Sequence, residues 1–291
     1  MRFFLREWQV AFRLCPQGSI LTDLQTPFLA IPNTRRYTAA DPFLFTENGR
    51  IYLFAELYDK KEERGKLGYA VFDGTRFSDW RVVISEPYHL SYPNIFRYQN
   101  AIYMIPEANE SDSLYAYRAV SFPDKWEKCS PLISGRRLVD TTFLDLNGKH
   151  WMFTYDIVPD SNKKLYRCSV TEDGAIEPES WRCISENDAD ARPGGNFFED
   201  HGTWIRVSQD CAQDYGAGLV FSRVAVCNAR DYSEQPILHL SPEDVKINKH
   251  FVTGLHTYNA NETMEVIDFH VPDYDPMTQV RRVRGKLGWK K

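Results

Sequence analysis

An internal repeat constrains the fold of this chain more than any other feature of its sequence. Each copy contains an aromatic-rich strand, a tight turn such as Asn48-Gly49 or Asn147-Gly148, and a second strand of alternating apolar residues, a pattern typical of a β-hairpin. Three clear copies occupy residues 41–56, 92–107 and 140–155, and two weaker copies occupy residues 194–209 and 254–269. Their spacing of about 50 residues is typical of a propeller or a solenoid.

The stretch between successive copies is long enough for two further strands. We expect these strands at Lys66–Phe72 with Arg81–Ser85, at Ser113–Ala119 with Cys129–Ile133, and at Lys164–Val170 with Trp181–Ile184. Four antiparallel strands repeated around an axis form blades, an arrangement that leaves only short, protected sheet edges. The sequence therefore predicts an all-β, five-bladed β-propeller, in which Trp8–Leu14 pairs with the last blade and closes the ring.

We expect residues 1–280 to form one propeller domain, because all-β domains of this length are common. Its blades are expected to start near residues 41, 92, 140, 194 and 254. Residues 281–291 form a tail rich in Arg and Lys. Such a tail is suited to an anionic membrane surface or to a partner protein, and equally to a solvated chain terminus.

Charge and targeting signals narrow the classes of function. The net charge of -5 and the pI near 5.8 argue against a nucleic-acid partner, since phosphate binding needs clustered basic residues. The N-terminus lacks the apolar stretch of a signal peptide, and no run reaches the roughly 18 apolar residues of a membrane span. We therefore expect a cytoplasmic protein, membrane-peripheral at most. The six cysteines lack zinc-binding spacing and are expected to be reduced, mostly buried thiols.

The repeat also predicts where a site would lie. The innermost strands of a propeller surround its axis, so residues at equivalent positions of the copies collect at one mouth. Asp41 and Asp140 begin their copies, and Glu56 and Glu107 end theirs. Buried carboxylates are costly unless they are solvated, paired or used. These four carboxylates therefore predict a functional pocket at the axis. A turn-capping role is an open alternative for each Asp.

Polar and aromatic residues beside these positions are candidate substrate ligands. His89 and His256 are suited to hydrogen bonds with sugar hydroxyls, and Arg192 and Arg206 are suited to a phosphate. The other candidates are Tyr92, Asp156, Gln209, Asp210 and Tyr215. A packing role is an open alternative for each histidine and aromatic residue. Since no His-x-His or His-Glu-x-x-His pattern occurs, we predict no required metal and no cofactor.

Several segments resemble the propeller module at the N-terminus of plant glucosamine inositolphosphorylceramide transferases and related bacterial proteins. The resemblance covers roughly residues 38–260, most of the chain. The segments that carry it are Asp41-Pro42-Phe43, His89-Leu90-Ser91-Tyr92-Pro93, Tyr103-Met104-Ile105-Pro106-Glu107, Phe122-Pro123-x-x-Trp126, Val139-Asp140, Arg192-Pro193-Gly194-Gly195, Arg206-Val207-Ser208-Gln209-Asp210-Cys211, Tyr215-Gly216 and Gly254-Leu255-His256-Thr257-Tyr258.

That module is in turn similar to the arabinanase, levansucrase and invertase superfamily, whose five-bladed propellers favour furanosides. The resemblance implies that Asp41 is the base or nucleophile, that Asp140 orients and tunes the reacting groups, and that Glu107 is the candidate general acid. Hydrolases of the arabinanase type take their acid from a later blade, where this chain has Gln209 and Asp210. This difference bears directly on whether the chain hydrolyses glycosides.

Three functions fit these residues. The first is a glycosyltransferase of surface-polysaccharide or glycolipid assembly, moving a sugar from an activated phosphate donor to a glycan or glycolipid acceptor. The sugar is expected to be a pentofuranosyl group, for example from phosphoribosyl diphosphate. Such an enzyme needs one base, here Asp41, and no strong acid. The alternatives are a furanoside hydrolase with paired carboxylates and a non-catalytic glycan-binding module.

Overall fold

A computed structural model of the chain describes residues 5–15, 19–157, 164–172, 174–248 and 250–273. These residues form five four-stranded antiparallel sheets, and the predicted five-bladed β-propeller is confirmed. Within this part of the chain, no helix is long and apolar enough to cross a membrane. Three 3-10 turns, Asn109–Ser111, Pro178–Ser180 and Pro242–Asp244, are the helical elements of the described residues.

Four blades are built from consecutive strands, innermost first in blades 1 to 4. Blade 1 contains β3 (Tyr37–Glu47), β4 (Arg50–Asp59), β5 (Arg64–Val71) and β6 (Arg81–Ile84). Blade 2 contains β7 (Ser91–Tyr98), β8 (Ala101–Glu107), β9 (Ser113–Ser121) and β10 (Lys125–Ser134). Blade 3 contains β11 (Leu138–Leu146), β12 (Lys149–Asp156), β13 (Lys164–Val170) and β14 (Arg182–Ser185). Blade 4 contains β15 (Phe198–Asp200), β16 (Thr203–Asp210), β17 (Gly218–Cys227) and β18 (Tyr232–Leu240).

The fifth blade joins the two ends of the chain. Its order is β19 (Tyr258–Ala260), β20 (Met264–Asp273), β1 (Leu5–Leu14) and β2 (Leu29–Ile31). Strand β1 pairs with β20 along its whole length, from Leu5 opposite Asp273 to Leu14 opposite Met264. The expected closure by the N-terminal segment is therefore confirmed, and it leaves neither end of the ring as an open sheet edge.

The hairpin turns follow directly from local sequence. Asn48-Gly49 and Asn147-Gly148 both have positive φ at both residues, 51° and 73° in the first and 53° and 71° in the second. These values are those of the type I′ turn, whose twist matches the flanking strands and which favours Asn-Gly. The predicted outer strands also occur, within a few residues of their expected bounds.

Neighbouring blades are held together by apolar side chains, many of them aromatic. Phe12 of the closing strand packs edge-on against Phe72 and Phe77 of blade 1, with ring centroids 5.7 and 5.1 Å apart. Phe43 packs edge-on against Tyr92 of blade 2 at 4.8 Å. These contacts bury the flat faces that each blade offers to the next, so the ring is stabilised blade by blade.

The structure tests the expectation about the cysteines but not the one about the basic tail. All six cysteines are free, but only Cys168 is buried. Cys129 and Cys183 lie on the outermost strands β10 and β14, and the other three lie at the ends of strands: Cys15, Cys211 and Cys227. The basic tail 281–291 lies outside the described residues, and its role stays a prediction.

We expect Phe12→Ala to lower the free energy of unfolding by about 3 kcal/mol, because it removes a buried aromatic ring from the contact between the closing strand and blade 1. Leu14→Ala is the matched control in the same strand, since Leu14 is 49% exposed; we expect it to change stability by less than about 0.5 kcal/mol. Urea denaturation followed by circular dichroism measures both. Equal losses in the two variants would contradict a closure that depends on this packing.

Candidate active site

The first residue of each clear repeat copy lies at a β-bulge on the innermost strand. Asp41, Tyr92 and Asp140 have φ of 50°, 47° and 49°, and the strand register shifts at each of them. A bulge re-aims the side chain, and Asp tolerates the left-handed region better than most residues. Because Tyr92 is a bulky residue in that region, its backbone is strained, as is common near functional sites.

Asp41 is the centre of a buried hydrogen-bond network. Its Oδ1 accepts a hydrogen bond from Thr257 Oγ1 at 2.8 Å and lies 3.3 Å from Nε2 of His256. Its Oδ2 accepts the backbone N–H of Tyr92 at 3.0 Å. Two segments distant in sequence, His256-Thr257 and Tyr92, therefore fix the two oxygens of this carboxylate.

Asp268 contacts both Asp41 and His256. Its Oδ2 accepts the backbone N–H of Asp41 at 2.9 Å and lies 2.7 Å from Nδ1 of His256. Its Oδ1 accepts the backbone N–H groups of Thr257 and His256 at 2.8 and 3.2 Å. The imidazole of His256 thus lies between two carboxylates, and the side chain of Asp268 is fully buried.

A second network joins blades 2, 3 and 4. Arg192 Nε donates to Oδ2 of Asp140, and Arg192 Nη2 lies 3.5 Å from Oε2 of Glu107. Gln209 Nε2 also donates to Oδ2 of Asp140, at 3.0 Å. Asn109 Nδ2 donates to Oε1 of Glu107 at 2.5 Å. We call Asp41, His256, Asp268, Glu107, Asp140, Arg192 and Gln209 together the axial cluster.

Burial and crowding alter the acidity of this cluster. Burial raises the pKa of Asp41 to about 7, with His256 opposing the rise and Asp268 adding to it. Burial raises the pKa of Glu107 to about 8, with Asp140 adding to the rise and Arg192 opposing it. Shifted carboxyl groups of this kind are typical of sites that transfer protons near neutral pH.

The pKa of His256 moves in the direction that its neighbours dictate. Burial alone would lower it, but Asp268 and Asp41 outweigh burial and raise the pKa to about 9. The imidazole is therefore cationic at neutral pH, and its charge favours ionisation of Asp41. This pair gives the site one carboxylate that is held beside a positive charge and still titrates near neutrality.

Glu56, His89 and Tyr215 lie at the solvent side of the cluster. Oε1 of Glu56 lies 3.2 Å from Nε2 of His89, and the Gly65 N–H donates to Nδ1 of His89 at 3.0 Å. Because Nδ1 is an acceptor, the ring proton is assigned to Nε2, which points at Glu56. Tyr215 is 41% exposed, with the Arg192 guanidinium 5.0 Å from its ring centroid. This rim is suited to polar and stacking contacts with a sugar.

Four predicted substrate ligands have other contacts. The carboxylate of Asp156, at the end of β12, is bound by Arg136 of the loop before β11, 3.0 Å from Nε. Arg206 binds Glu234 of the outer strand β18. Asp210 caps the loop that follows it by accepting the Ala212 N–H. The ring of Tyr92 is fully buried, and its hydroxyl accepts the Gly195 N–H. The structure therefore gives each of these side chains a structural partner, and a role in substrate binding stays a prediction for them.

Sequence reasoning missed Asp268, Thr257 and Asn109. Asp268 stands one residue before the predicted end of the fifth copy, and Thr257 follows the candidate His256. A search for polar residues on either side of the repeat ends would have found both. Asn109 follows Glu107 by two residues, in a 3-10 turn that the repeat pattern does not contain.

Asp41, His256 and Asp268 are also close enough to share a metal ion, with ligand atoms within 4.8 Å of one another. In the structure, the imidazole of His256 lies between the two carboxylates and supplies the positive charge there. The cluster is therefore internally paired with its own cation. The expectation of no required metal stays a prediction.

A separate cleft of about 850 Å³, including its open mouth, lies between blades 2 and 3. Its lining includes Phe96, Phe143 and Met152, and it contains none of the candidate site residues. Phe143 and Asp145 of its lining follow Asp140 along strand β11, toward the turn at Asn147. The cleft thus lies toward the opposite end of the strands from the axial cluster, and most of its lining is apolar, with the Asp145–His150 pair among the exceptions.

Sequence comparison identifies the family. The family described as "Glucosamine inositolphosphorylceramide transferase 1, N-terminal" matches residues 31–264. The chain belongs to this family. A protein named glucosamine inositolphosphorylceramide transferase 1 from Arabidopsis thaliana is 32% identical over 203 residues, 67% of this chain and 26% of the relative. The protein of the same name from Oryza sativa subsp. indica is 30% identical over 230 residues, 76% of this chain and 31% of the relative. The chain thus spans about a quarter to a third of these relatives.

Comparison of folds points to propeller glycoside hydrolases. The catalytic domain of a family 62 α-L-arabinofuranosidase from Coprinopsis cinerea superposes with a TM-score of 0.58 at 11% identity, covering 81% of this chain and 92% of that one. A thermostable family 43 glycoside hydrolase gives a TM-score of 0.58 at 14% identity, covering 83% and 91%. A family 117 hydrolase from Zobellia galactanivorans gives 0.57 at 12% identity, covering 92% and 93%. At these identities the similarity establishes the fold of this family member alone.

We expect Glu107→Gln to stabilise the protein more at alkaline than at acidic pH. The folded-state pKa of Glu107, about 8, is above its ordinary value of 4.5. A raised carboxyl pKa means that the folded state resists ionisation, so stability falls as pH rises from about 4.5 toward 8. Glutamine removes this fall. The free energy of unfolding in urea, measured near pH 5 and near pH 9, should show the variant gaining on wild type at the higher pH.

Glu199→Gln on the exposed face of β15 is the control for that experiment, since its side chain lies outside the cluster. We expect its difference from wild type to be the same at both pH values. A constant difference for Glu107→Gln as well would show that the folded state does not resist ionisation of Glu107.

Proposed function

We propose that the axial cluster is the active site of a glycosyltransferase, in which Asp41 is the base that deprotonates an acceptor hydroxyl. The observation that carries the proposal is the environment of Asp41: a buried carboxylate near neutral pKa, fixed by Thr257 and the Tyr92 N–H, and facing the cationic His256. A base works best when its pKa is close to the working pH.

The proposed reaction balances with a single protein base. The acceptor O–H gives its proton to Asp41, and the acceptor oxygen forms a bond to the anomeric carbon of the donor. The bond from that carbon to the phosphate oxygen breaks, and the phosphate leaves with the electron pair. No acid is needed to protonate a phosphate leaving group, which agrees with an amide, Gln209, beside Asp140.

The charge distribution orients the substrates in this proposal. The carboxylates of Asp41 and Asp140 would repel a diphosphate placed beside them. Arg192, whose guanidinium lies 5.0 Å from the ring centroid of Tyr215, and Arg137, which donates to Asn109 Oδ1 at 3.3 Å, are cations that contact members of the second network or its rim. The phosphate end of the donor would therefore lie toward these arginines, with the sugar directed at Asp41.

The names of the relatives support a glycolipid acceptor. The plant relatives are named for the transfer of glucosamine to inositolphosphorylceramide, which makes them glycosyltransferases of glycolipid assembly. A cytoplasmic site, an activated sugar phosphate donor and a glycan or glycolipid acceptor fit this assignment. A pentofuranosyl donor such as phosphoribosyl diphosphate is the finer form of the proposal, suggested by the furanoside preference of the similar fold.

Hydrolysis is the second candidate, and one observation favours it. Glu107 has a pKa raised to about 8, so it is protonated at neutral pH as a general acid must be. With Asp41 as base or nucleophile, the pair would serve furanosides. Glu107 lies in blade 2, however, whereas hydrolases of the arabinanase type take their acid from a later blade, and its contact with Arg192 opposes the rise of its pKa.

A non-catalytic sugar-binding role is the third candidate. It is favoured by the share of the plant relatives that the chain spans, since most of their length lies outside the matched region. Sugar binding without turnover would not require a carboxylate at position 41 whose pKa is near neutral.

We expect Asp41→Asn to retain donor binding and to lose at least about 100-fold in turnover, because the amide keeps the shape of the side chain and cannot accept the proton. Saturation-transfer NMR would first screen wild type and variant against nucleotide sugars, phosphoribosyl diphosphate and neutral furanosides. Product formation from the donors and glycosides that bind would then be measured by mass spectrometry.

Asp145→Asn is the control, since Asp145 lies near the far end of strand β11 and pairs with His150. It should bind and turn over like wild type. Full turnover by Asp41→Asn would reject the base, product from neutral furanosides alone would establish hydrolysis, and binding without any product would establish the sugar-binding role.

A further inference from the structure

The closing strand β1 places an indole against the axial cluster. Trp8 lies directly opposite His270 in the β1–β20 register. Its ring stacks on the imidazole of His256, with centroids 3.8 Å apart and planes at 19°, and on that of His270, with centroids 3.4 Å apart and planes at 31°. Tyr215 meets the indole edge-on at 6.1 Å. Trp8 is therefore the middle layer of a stack that ends at His256.

The neighbouring loop is shaped around this indole. A Cβ atom at Gly216 would lie 2.7 Å from Cη2 of Trp8, closer than side-chain carbons pack, and Gly216 has a φ of 71°. A Cβ atom at Gly254 would lie 2.7 Å from Nδ1 of His270. Two glycines thus leave room for the stack, and one of them also adopts a backbone conformation that other residues rarely adopt.

The indole stacks on the imidazole of His256, whose orientation affects the ionisation of Asp41. The edge of His256 must face Asp41 on one side and Asp268 on the other, at 3.3 and 2.7 Å. The χ2 torsion of a histidine has a broad distribution of angles, so the backbone of His256 does not by itself fix the orientation of the ring. The parallel indole face restricts rotation of the ring, and it also attracts an imidazolium through its π-electrons.

We propose that Trp8 is a positioning residue of this site: its indole, delivered by the ring-closing strand, holds His256 between Asp41 and Asp268. The proposal deepens the proposed function and rests on it for its catalytic consequence. The placement itself rests on the stacking geometry alone. The base would then depend on a residue from the opposite end of the chain sequence, more than 200 residues from His256.

The groups that face His256 come from several elements. Asp41 of β3 and Asp268 of β20 contact its nitrogens, while Tyr215 of the loop before β17 meets its ring edge-on at 5.2 Å. His270 lies across the indole, and Arg192 is close enough to oppose protonation. Replacing Trp8 leaves all of these groups in place, so a change in His256 can be assigned to the loss of the indole.

The test is ¹³C-histidine NMR of the full chain, with the His256 signal assigned from a His256→Gln variant. In wild type, the His256 ring protons should show an upfield ring-current shift, because they lie over the indole face. In Trp8→Leu we expect this shift to disappear and the titration midpoint of His256 to fall by about one pH unit, the size of one desolvated cation–π contact. Trp8→Phe should show an intermediate shift and midpoint.

Trp204→Leu in blade 4 is the matched control, and it should leave the His256 signal unchanged. If Trp8→Leu does not fold, Gly216→Ala tests the same contact, since the added Cβ must displace the indole. An unchanged His256 shift and midpoint in folded Trp8→Leu, or in Gly216→Ala, would overturn the proposal. These readouts need no turnover, so the proposed function can fail while this placement holds.

Turnover separates the two proposals further. If the chain is active, Trp8→Leu should lower kcat at least about tenfold with KM little changed, since the indole acts on the base through His256. Trp8→Phe should recover most of that loss. A pH–rate profile that is identical in Trp8→Leu and wild type would contradict a role of Trp8 in setting the base.

Discussion

The pairing of β1 with β20 is the interaction on which the other features of this molecule depend. It joins the two ends of the chain over ten residue pairs and converts five separate sheets into a closed ring. The same pairing places Trp8 opposite His270 and Val10 opposite Asp268. Closure therefore stabilises the fold and also brings two parts of the site together. Strand β20 carries Asp268, and β1 carries the indole stacked on His256.

The axial cluster shows how a closed ring can hold several buried carboxylates. Asp41 and Asp140 are each matched to a cation, His256 and Arg192, that comes from another blade or the loop before it. Backbone N–H groups satisfy Asp268, which has no solvent to replace them. The pairing is incomplete, and burial leaves the pKa of Asp41 and Glu107 well above ordinary carboxyl values. The residual cost is typical of sites in which stability is given up for chemistry.

The repeat allowed the blades, their hairpins and the axial position of Asp41, Glu107 and Asp140 to be predicted, because a fixed period and a two-residue strand alternation act locally. Contacts between blades were beyond that reasoning. Asp156 and Arg206 stand beside candidate positions in the sequence, but Arg136, in the loop before β11, binds the first and Glu234 of the outer strand β18 binds the second. Which charged group meets which partner depends on how neighbouring blades pack, and no local pattern records that geometry.

The sequence by itself determined the five-bladed architecture, since Asn-Gly turns and alternating apolar residues select hairpins, and five such hairpins close a ring. It also determined that acidic side chains face the axis. Only the tertiary structure decided which of them share a hydrogen-bond network. Ring closure brings Asp268 and Thr257 to Asp41 and stacks Trp8 on His256. Hydrogen bonds between residues some 220 positions apart are set by the global fold and not by local propensity.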